Sequence, residues 1–142
     1  MKDSLQIGAE SSSMLAIDEG RTISFMGDTL RVYATPSMVL DVERTCRALL
    51  VEHHDAGEDS VGARVEIDHL GPTLLGQHVC VKARVVELVL PRVVFEVEVT
   101  DELDLVGRAK HVRFVVDTVK QGERLAKKAA RVKVAAGGWP RA

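Results

Sequence analysis

Aromatic residues are scarce: they make up 4% of the 142-residue chain, with one Trp and one Tyr. That excludes an aromatic platform on which bases stack. Net charge is nearly absent too. Nineteen Lys and Arg stand against 21 Asp and Glu, for −2. A nucleic-acid module held by global positive charge is therefore not expected. No apolar run approaches the ~20 residues that span a bilayer. The opening Met1-Lys2-Asp3-Ser4 leads into polar residues and not into a signal-peptide core. The two cysteines, Cys46 and Cys80, show no CxxC spacing, so neither a redox motif nor a cysteine zinc site is indicated. No HxxxH-type spacing, Gly-rich phosphate loop or GxSxG elbow occurs, and no metal site is predicted. The expectation is a reduced, cytoplasmic protein with no nucleic-acid or membrane partner.

What is present is a globular mixture, 46% hydrophobic and 28% charged, of a length that fits one domain. The charge is unevenly divided. From Thr118 onward Lys120, Arg124, Lys127, Lys128, Arg131, Lys133 and Arg141 face the single acid Glu123, giving +6, and the preceding residues carry −8. The body is acidic and the tail basic. The tail reads as a helix from about Val119 to Lys133, then a Gly137-Gly138 break and a frayed end. A solvated terminal helix is the plain reading. Contact with an anionic ligand, a partner or the acidic body is the other.

Hydropathy patterning supplies the remaining elements. Residues 1–13 look irregular. Met14–Asp18 and Thr22–Met26 read as short strands. A helix is predicted from about Pro36 to Glu52, with Thr35 as N-cap and Pro36 in its first turn. Val39, Val42, Cys46, Leu49 and Leu50 share one arc of that helix, with Asp41, Arg44 and Arg47 away from it. Val61, Ala63, Val65, Ile67 and His69 alternate with polar residues, the period of a strand. Val79–Leu90 is a second strand with a bulge near Val85-Val86. Val93–Val99 is a third, Asp101–Asp104 an acidic turn, and Leu105–Asp117 the last strand. One helix on a curled antiparallel sheet is an α+β solution, and pairing of two copies would protect its edges.

Three residues stand out chemically. Glu43 flanks the apolar arc of the helix, where a carboxylate suits a general base; a pair with Arg47 one turn on is the alternative. His69 falls on the strand face expected to meet the helix, as a proton carrier or as a satisfied core histidine. Thr35 reads as an N-cap, at a helix start whose free N–H groups can polarise a carbonyl.

Ala34-Thr35-Pro36-Ser37-Met38-Val39, the following Glu43, Val61-Gly62-Ala63-Arg64-Val65, His69-Leu70-Gly71-Pro72-Thr73 and Gly76 together resemble the fluoroacetyl-CoA thioesterase-like group of single hotdog-fold proteins. Gly107–Asp117 resembles its closing strand. The resemblance runs from about Met14 to Asp117. It implies a hotdog fold, a curled antiparallel sheet wrapped around one central helix, in a homodimer. Residues 14–117 would form that domain, with an irregular stretch at 1–13 and a basic helix and tail at 118–142. It also implies acyl-CoA hydrolysis in which Thr35, Glu43 and His69 serve as the catalytic Thr, Glu and His, with Gly62 near the acyl group. Two features depart from the family. The segment Asp28–Ala34 is short and carries Tyr33 as its only aromatic. Arg108-Ala109-Lys110-His111 stands where relatives tend to carry a Gly-rich run.

The activity so implied is hydrolysis of a small or medium acyl-CoA, with no cofactor beyond the CoA of the substrate. Glu43 would act as nucleophile or as base for a water, the choice left open. His69 would shuttle a proton. Gly62, Arg64 and Tyr33 are the expected substrate-binding residues. The CoA phosphates would need cations, with Arg64, Arg108, Lys110 or the tail as candidates. A non-catalytic acyl-CoA-binding protein is the alternative, and enoyl-thioester hydration ranks last. Eight residues of helix rise about 12 Å, so Thr35 and Glu43 would meet around a substrate or across a dimer seam, unless Thr35 lies in the loop.

Overall fold

Valine-rich alternation builds the centre of the molecule. In the computed structural model, which describes residues 1–138, five strands form one antiparallel sheet: β1 (Glu10–Ala16), β2 (Glu58–His69), β3 (His78–Val89), β4 (Arg92–Thr100) and β5 (Leu105–Asp117). Their order across the sheet is β1-β3-β4-β5-β2, so β1 and β2 are its edges. One helix, α1 (Thr35–Val51), lies against the inner face. Met38, Val42, Cys46, Leu49 and Leu50 of α1 pack with Val81, Ala83 and Val85 of β3 and Phe95 and Val97 of β4, all essentially buried. A second helix, α2 (Thr118–Ala135), follows β5 directly, and the Asp117 carboxylate caps it by accepting from the Lys120 N–H at 3.0 Å. A short 3-10 turn, Ala136–Gly138, follows at the predicted glycine break. The frayed end expected after it lies outside the described residues.

Several expectations are corrected. β1 begins at Glu10, four residues before the strand expected from Met14. Thr22–Met26 is not a strand: Thr22 makes one isolated bridge, to Tyr33. The buried arc of α1 includes Asp41 and Thr45, with Asp41 only 3% exposed. Asp41 tolerates burial because its carboxylate is paired. Its Oδ2 accepts from the Tyr33 hydroxyl at 2.6 Å and from Arg21 Nε at 3.1 Å.

Two bulges shape the sheet. Val86 is the extra residue in β3, where Val85 pairs with Phe95 but Glu87 with Val94. Ala63 is the extra residue in β2: Gly62 pairs with Arg113 and Arg64 with Val112. The alternation expected from Val61 to His69 therefore breaks. Gly62 turns toward α1 with Arg113, then Val65, Ile67 and His69 do so after the bulge.

Candidate active site

The first group of site residues gathers at the start of α1. Ala34 occupies the N-cap position and no side chain caps the helix, so Thr35 is not the predicted N-cap. Its hydroxyl lies instead 2.7 Å from His69 Nδ1. His69 is the last residue of β2, opposite Gly107 on β5. A Cβ on Gly107 would sit 2.6 Å from Met38 Sδ, so glycine lets α1 approach this end of the sheet. The Tyr33 ring meets the His69 ring edge-on, with centroids 6.2 Å apart and planes at 73°. Burial lowers the His69 pKa below the ordinary histidine value, opposed in part by the Gly71 backbone. The imidazole is therefore neutral at pH 7. Its Nε2 is shielded and makes no hydrogen bond.

The second group lies two turns along α1. Glu43 rests on Gly62, whose Cβ, if it had one, would be 2.6 Å from Glu43 Oε2. Arg113 Nη1 donates toward the same Oε2 at 3.4 Å. The expected pair with Arg47 does not form, because Arg47 holds Asp59 through two bonds of 2.9 and 2.7 Å. Arg113 is buried and fixed by Ser60, donating from Nε to its hydroxyl and from Nη2 to its carbonyl, each at 2.9 Å. His111 Nδ1 lies 2.8 Å from the Arg64 carbonyl, which can only accept. Nδ1 therefore carries the proton. Nε2 is left to accept from Arg113 Nη1 at 3.2 Å. Burial lowers the His111 pKa, in keeping with a neutral ring. Phe95 stacks on it.

The structure thus brings Thr35 to His69 and Glu43 to Gly62, as two groups. Glu43 makes no hydrogen bond to Thr35 or His69 among the described residues. Tyr33 is 1% exposed with its hydroxyl committed to Asp41. Arg64 faces outward with Val112, on the side of the sheet away from Gly62, and pairs with Glu66. Sequence reasoning passed over His111 and Arg113. Their signal was a charged residue inside the valine-rich run Val112–Val116, two residues after a histidine. Among the described residues no group of three or more His, Cys, Asp and Glu is arranged to hold a metal. No described helix is long and apolar enough to cross a membrane.

Comparison with known proteins adds to this geometry. The profile of the family described as FlK, fluoroacetyl-CoA-specific thioesterase, matches residues 17–119. The chain belongs to the fluoroacetyl-CoA-specific thioesterase family. Membership makes it a thioester hydrolase, and family and fold support acyl-CoA thioesterase activity. Solved structures agree on the architecture. A Thermus thermophilus hypothetical protein of the thioesterase superfamily is 27% identical, with 91% of this chain and 96% of that one covered and a TM-score of 0.84. The fluoroacetyl-CoA thioesterase FlK is 23% identical over 89% and 98% of the two chains, with a TM-score of 0.81. A hot-dog-like protein from Thermanaerovibrio acidaminovorans is 22% identical over 86% and 91%, with a TM-score of 0.80. A comparison with curated proteins returned no match. The curled sheet around α1 is the hotdog fold of this thioesterase family.

Proposed function

We propose that this thioesterase hydrolyses a small or medium acyl-CoA, with Glu43, His69 and Thr35 as its catalytic residues. The observation that carries the reading is the Glu43 carboxylate resting on Gly62. A carboxylate there meets an exposed glycine backbone, where an acyl group can approach without a side chain in the way. The crystallised FlK proteins support the ligand class, since they include complexes with acetyl-CoA and with fluoroacetate and CoA.

In the base-assisted route, Glu43 takes a proton from water as the water oxygen bonds to the thioester carbon. The C–S bond then breaks, and the CoA thiolate receives a proton. His69 is the group suited to relay it: the neutral ring takes up the proton that Glu43 drew from water and then, as imidazolium, gives it to the sulfur, with Thr35 holding Nδ1. In the nucleophilic route, Glu43 attacks the carbon itself, the C–S bond breaks to release the CoA thiolate, and water hydrolyses the resulting anhydride. Both routes need Glu43 ionised and positioned. Arg113, clamped by Ser60, orients the carboxylate as a positioning residue. Gly62 and Tyr33 shape the two ends of the binding region. Arg64, on the outer face, is left for contact with the CoA portion.

The two groups lie roughly 12 Å apart along α1. We infer that a homodimer completes the site, with Glu43 of one copy and His69 of the other facing a shared cleft. The unpartnered edge of β2, which carries Gly62, is consistent with such pairing. No cofactor beyond the substrate's CoA is required. The thiols Cys46 and Cys80, which are unbridged, fit a cytoplasmic setting.

An acyl-CoA panel with a free-thiol assay tests the activity. Glu43→Ala and His69→Ala should each abolish thiol release. Mixing and refolding the two variants together should restore part of it if the site is shared. Ligand-dependent melting without thiol release would overturn hydrolysis, and wild-type rates in either variant would overturn the assigned roles.

A further inference from the structure

The helix α2 has no buried residue along its whole length. It is tethered at its start, where the Thr118 hydroxyl donates to the Gly57 carbonyl at 3.0 Å. Beyond its first turns it stands free of the body. Each residue of an α-helix turns the chain by about 100°. On that wheel Lys120, Arg124, Lys127, Lys128 and Arg131 fall within an arc of about 100°. Among the described residues none of the five has an acid within ion-pair distance; the charged pairs of the body lie elsewhere, and Glu123 is the single acid of the helix. Val132, Leu125, Ala129, Ala126 and Val119 fill another arc, interrupted by Thr118, Gly122 and Lys133. Val119, Leu125 and Val132 are 69%, 59% and 57% exposed, respectively.

Three occupants can be weighed on these two arcs. A second α2 packed on the apolar arc would bring Lys128, which borders it, and Lys133, which lies within it, toward the same groups of its partner, and like charges would repel. A nucleic acid would use the cations and leave the apolar arc in water. An anionic phospholipid surface uses both. Valine and leucine side chains enter the acyl boundary, and the lysines and arginines meet the headgroup phosphates.

We propose that α2 is a docking helix for anionic phospholipid membranes, holding the thioesterase at the surface without spanning it. Since the residues before Thr118 carry −8, the same surface repels the body. Attachment is therefore confined to the helix and leaves the sheet and α1 in solution. The expectation of no membrane partner rested on the lack of a spanning segment, and a helix lying on the surface needs none.

The full chain is sedimented with vesicles of phosphatidylcholine alone and of phosphatidylcholine with phosphatidylglycerol. Binding should occur to the anionic vesicles only and weaken as salt rises. The triple variant K127E/K128E/R131E should lose about tenfold or more of that binding. Its melting temperature should stay within a few degrees of wild type, which checks the fold. L125S/V132S should also weaken binding, because insertion and charge act together. Four vesicle results would overturn the proposal: no binding to the anionic vesicles at low salt, equal binding to neutral ones, wild-type binding by the triple variant, or wild-type binding by L125S/V132S. A mass that falls to half in L125S/V132S, or retention on an RNA homopolymer without vesicle binding, would overturn it in favour of the other occupants.

Discussion

The Thr35 hydroxyl lies 2.7 Å from Nδ1 of His69, across 34 residues of sequence. The bond joins the first turn of α1 to the last residue of β2. It fixes which imidazole nitrogen remains for chemistry. Thr35→Val should leave the ring unrestrained and lower kcat/KM by about 3- to 10-fold, the worth of one hydrogen bond. Thr35→Ser should keep most of the rate. A loss in Thr35→Ser with none in Thr35→Val would mean that the methyl group, and not the hydroxyl, matters.

Gly62 and Glu43 give a steric test. In Gly62→Ala, the new Cβ would meet Glu43 Oε2 at 2.6 Å, so the carboxylate must move. A shift of about 1 Å in a reacting group can cost about 100-fold in rate. We expect that order of loss in thiol release, with a melting temperature within a few degrees of wild type. Wild-type rates in Gly62→Ala would show that the observed Glu43 position is not the reactive one.

The buried imidazoles make stability depend on pH in a defined window. Burial lowers the pKa of His69 and of His111 from the ordinary 6.5. A histidine depressed on folding binds fewer protons in the native state than in the unfolded one. Its stabilising contribution is complete above pH 6.5 and is lost as pH falls toward the folded value. The melting temperature should therefore drop between pH 7 and 5, above the range where the carboxylates titrate. His111→Gln should flatten that slope. An unchanged slope would place the proton uptake elsewhere.

Asp41 joins the loop before α1 to the helix. Its carboxylate accepts from Tyr33 and from Arg21. Tyr33→Phe should cost about 1.5–3 kcal/mol, as for a bond to a charged group. Asp41→Ala should cost more, about 2–4 kcal/mol, because the buried Tyr33 hydroxyl loses its acceptor while Arg21 keeps only Asp18. Urea unfolding of the two variants measures the difference. If Asp41→Ala were the milder change, the carboxylate would not be the hub of this cluster.

Much of this arrangement was legible in the residues. The bulge at Val86 showed in the changed alternation of β3, and β5 runs from Leu105 to Asp117 as expected. Helix α2 extends one residue earlier and two later than its charge pattern indicated. The bulge at Ala63 was not legible, because Val61 and Ala63 continue an apolar alternation across it. Asp41 was misplaced for a related reason. A helical wheel scores a carboxylate as outward, and only the arrival of Tyr33 and Arg21 makes its burial affordable. His111 was passed over because its partners, a carbonyl on β2 and Arg113, are fixed only by sheet register. Patterning reports which face an isolated segment presents. It does not report which strand will lie beside it.

The extra residue at Ala63 settles one further matter. Gly62 and His69 are an odd number of positions apart, so an unbroken strand would turn them to opposite sides. The bulge restores them to one side. Removing Ala63 would leave the valine core of β3 and β4 intact while turning one half of the candidate site outward. Length in this stretch of β2 is thus under tighter constraint than side-chain identity.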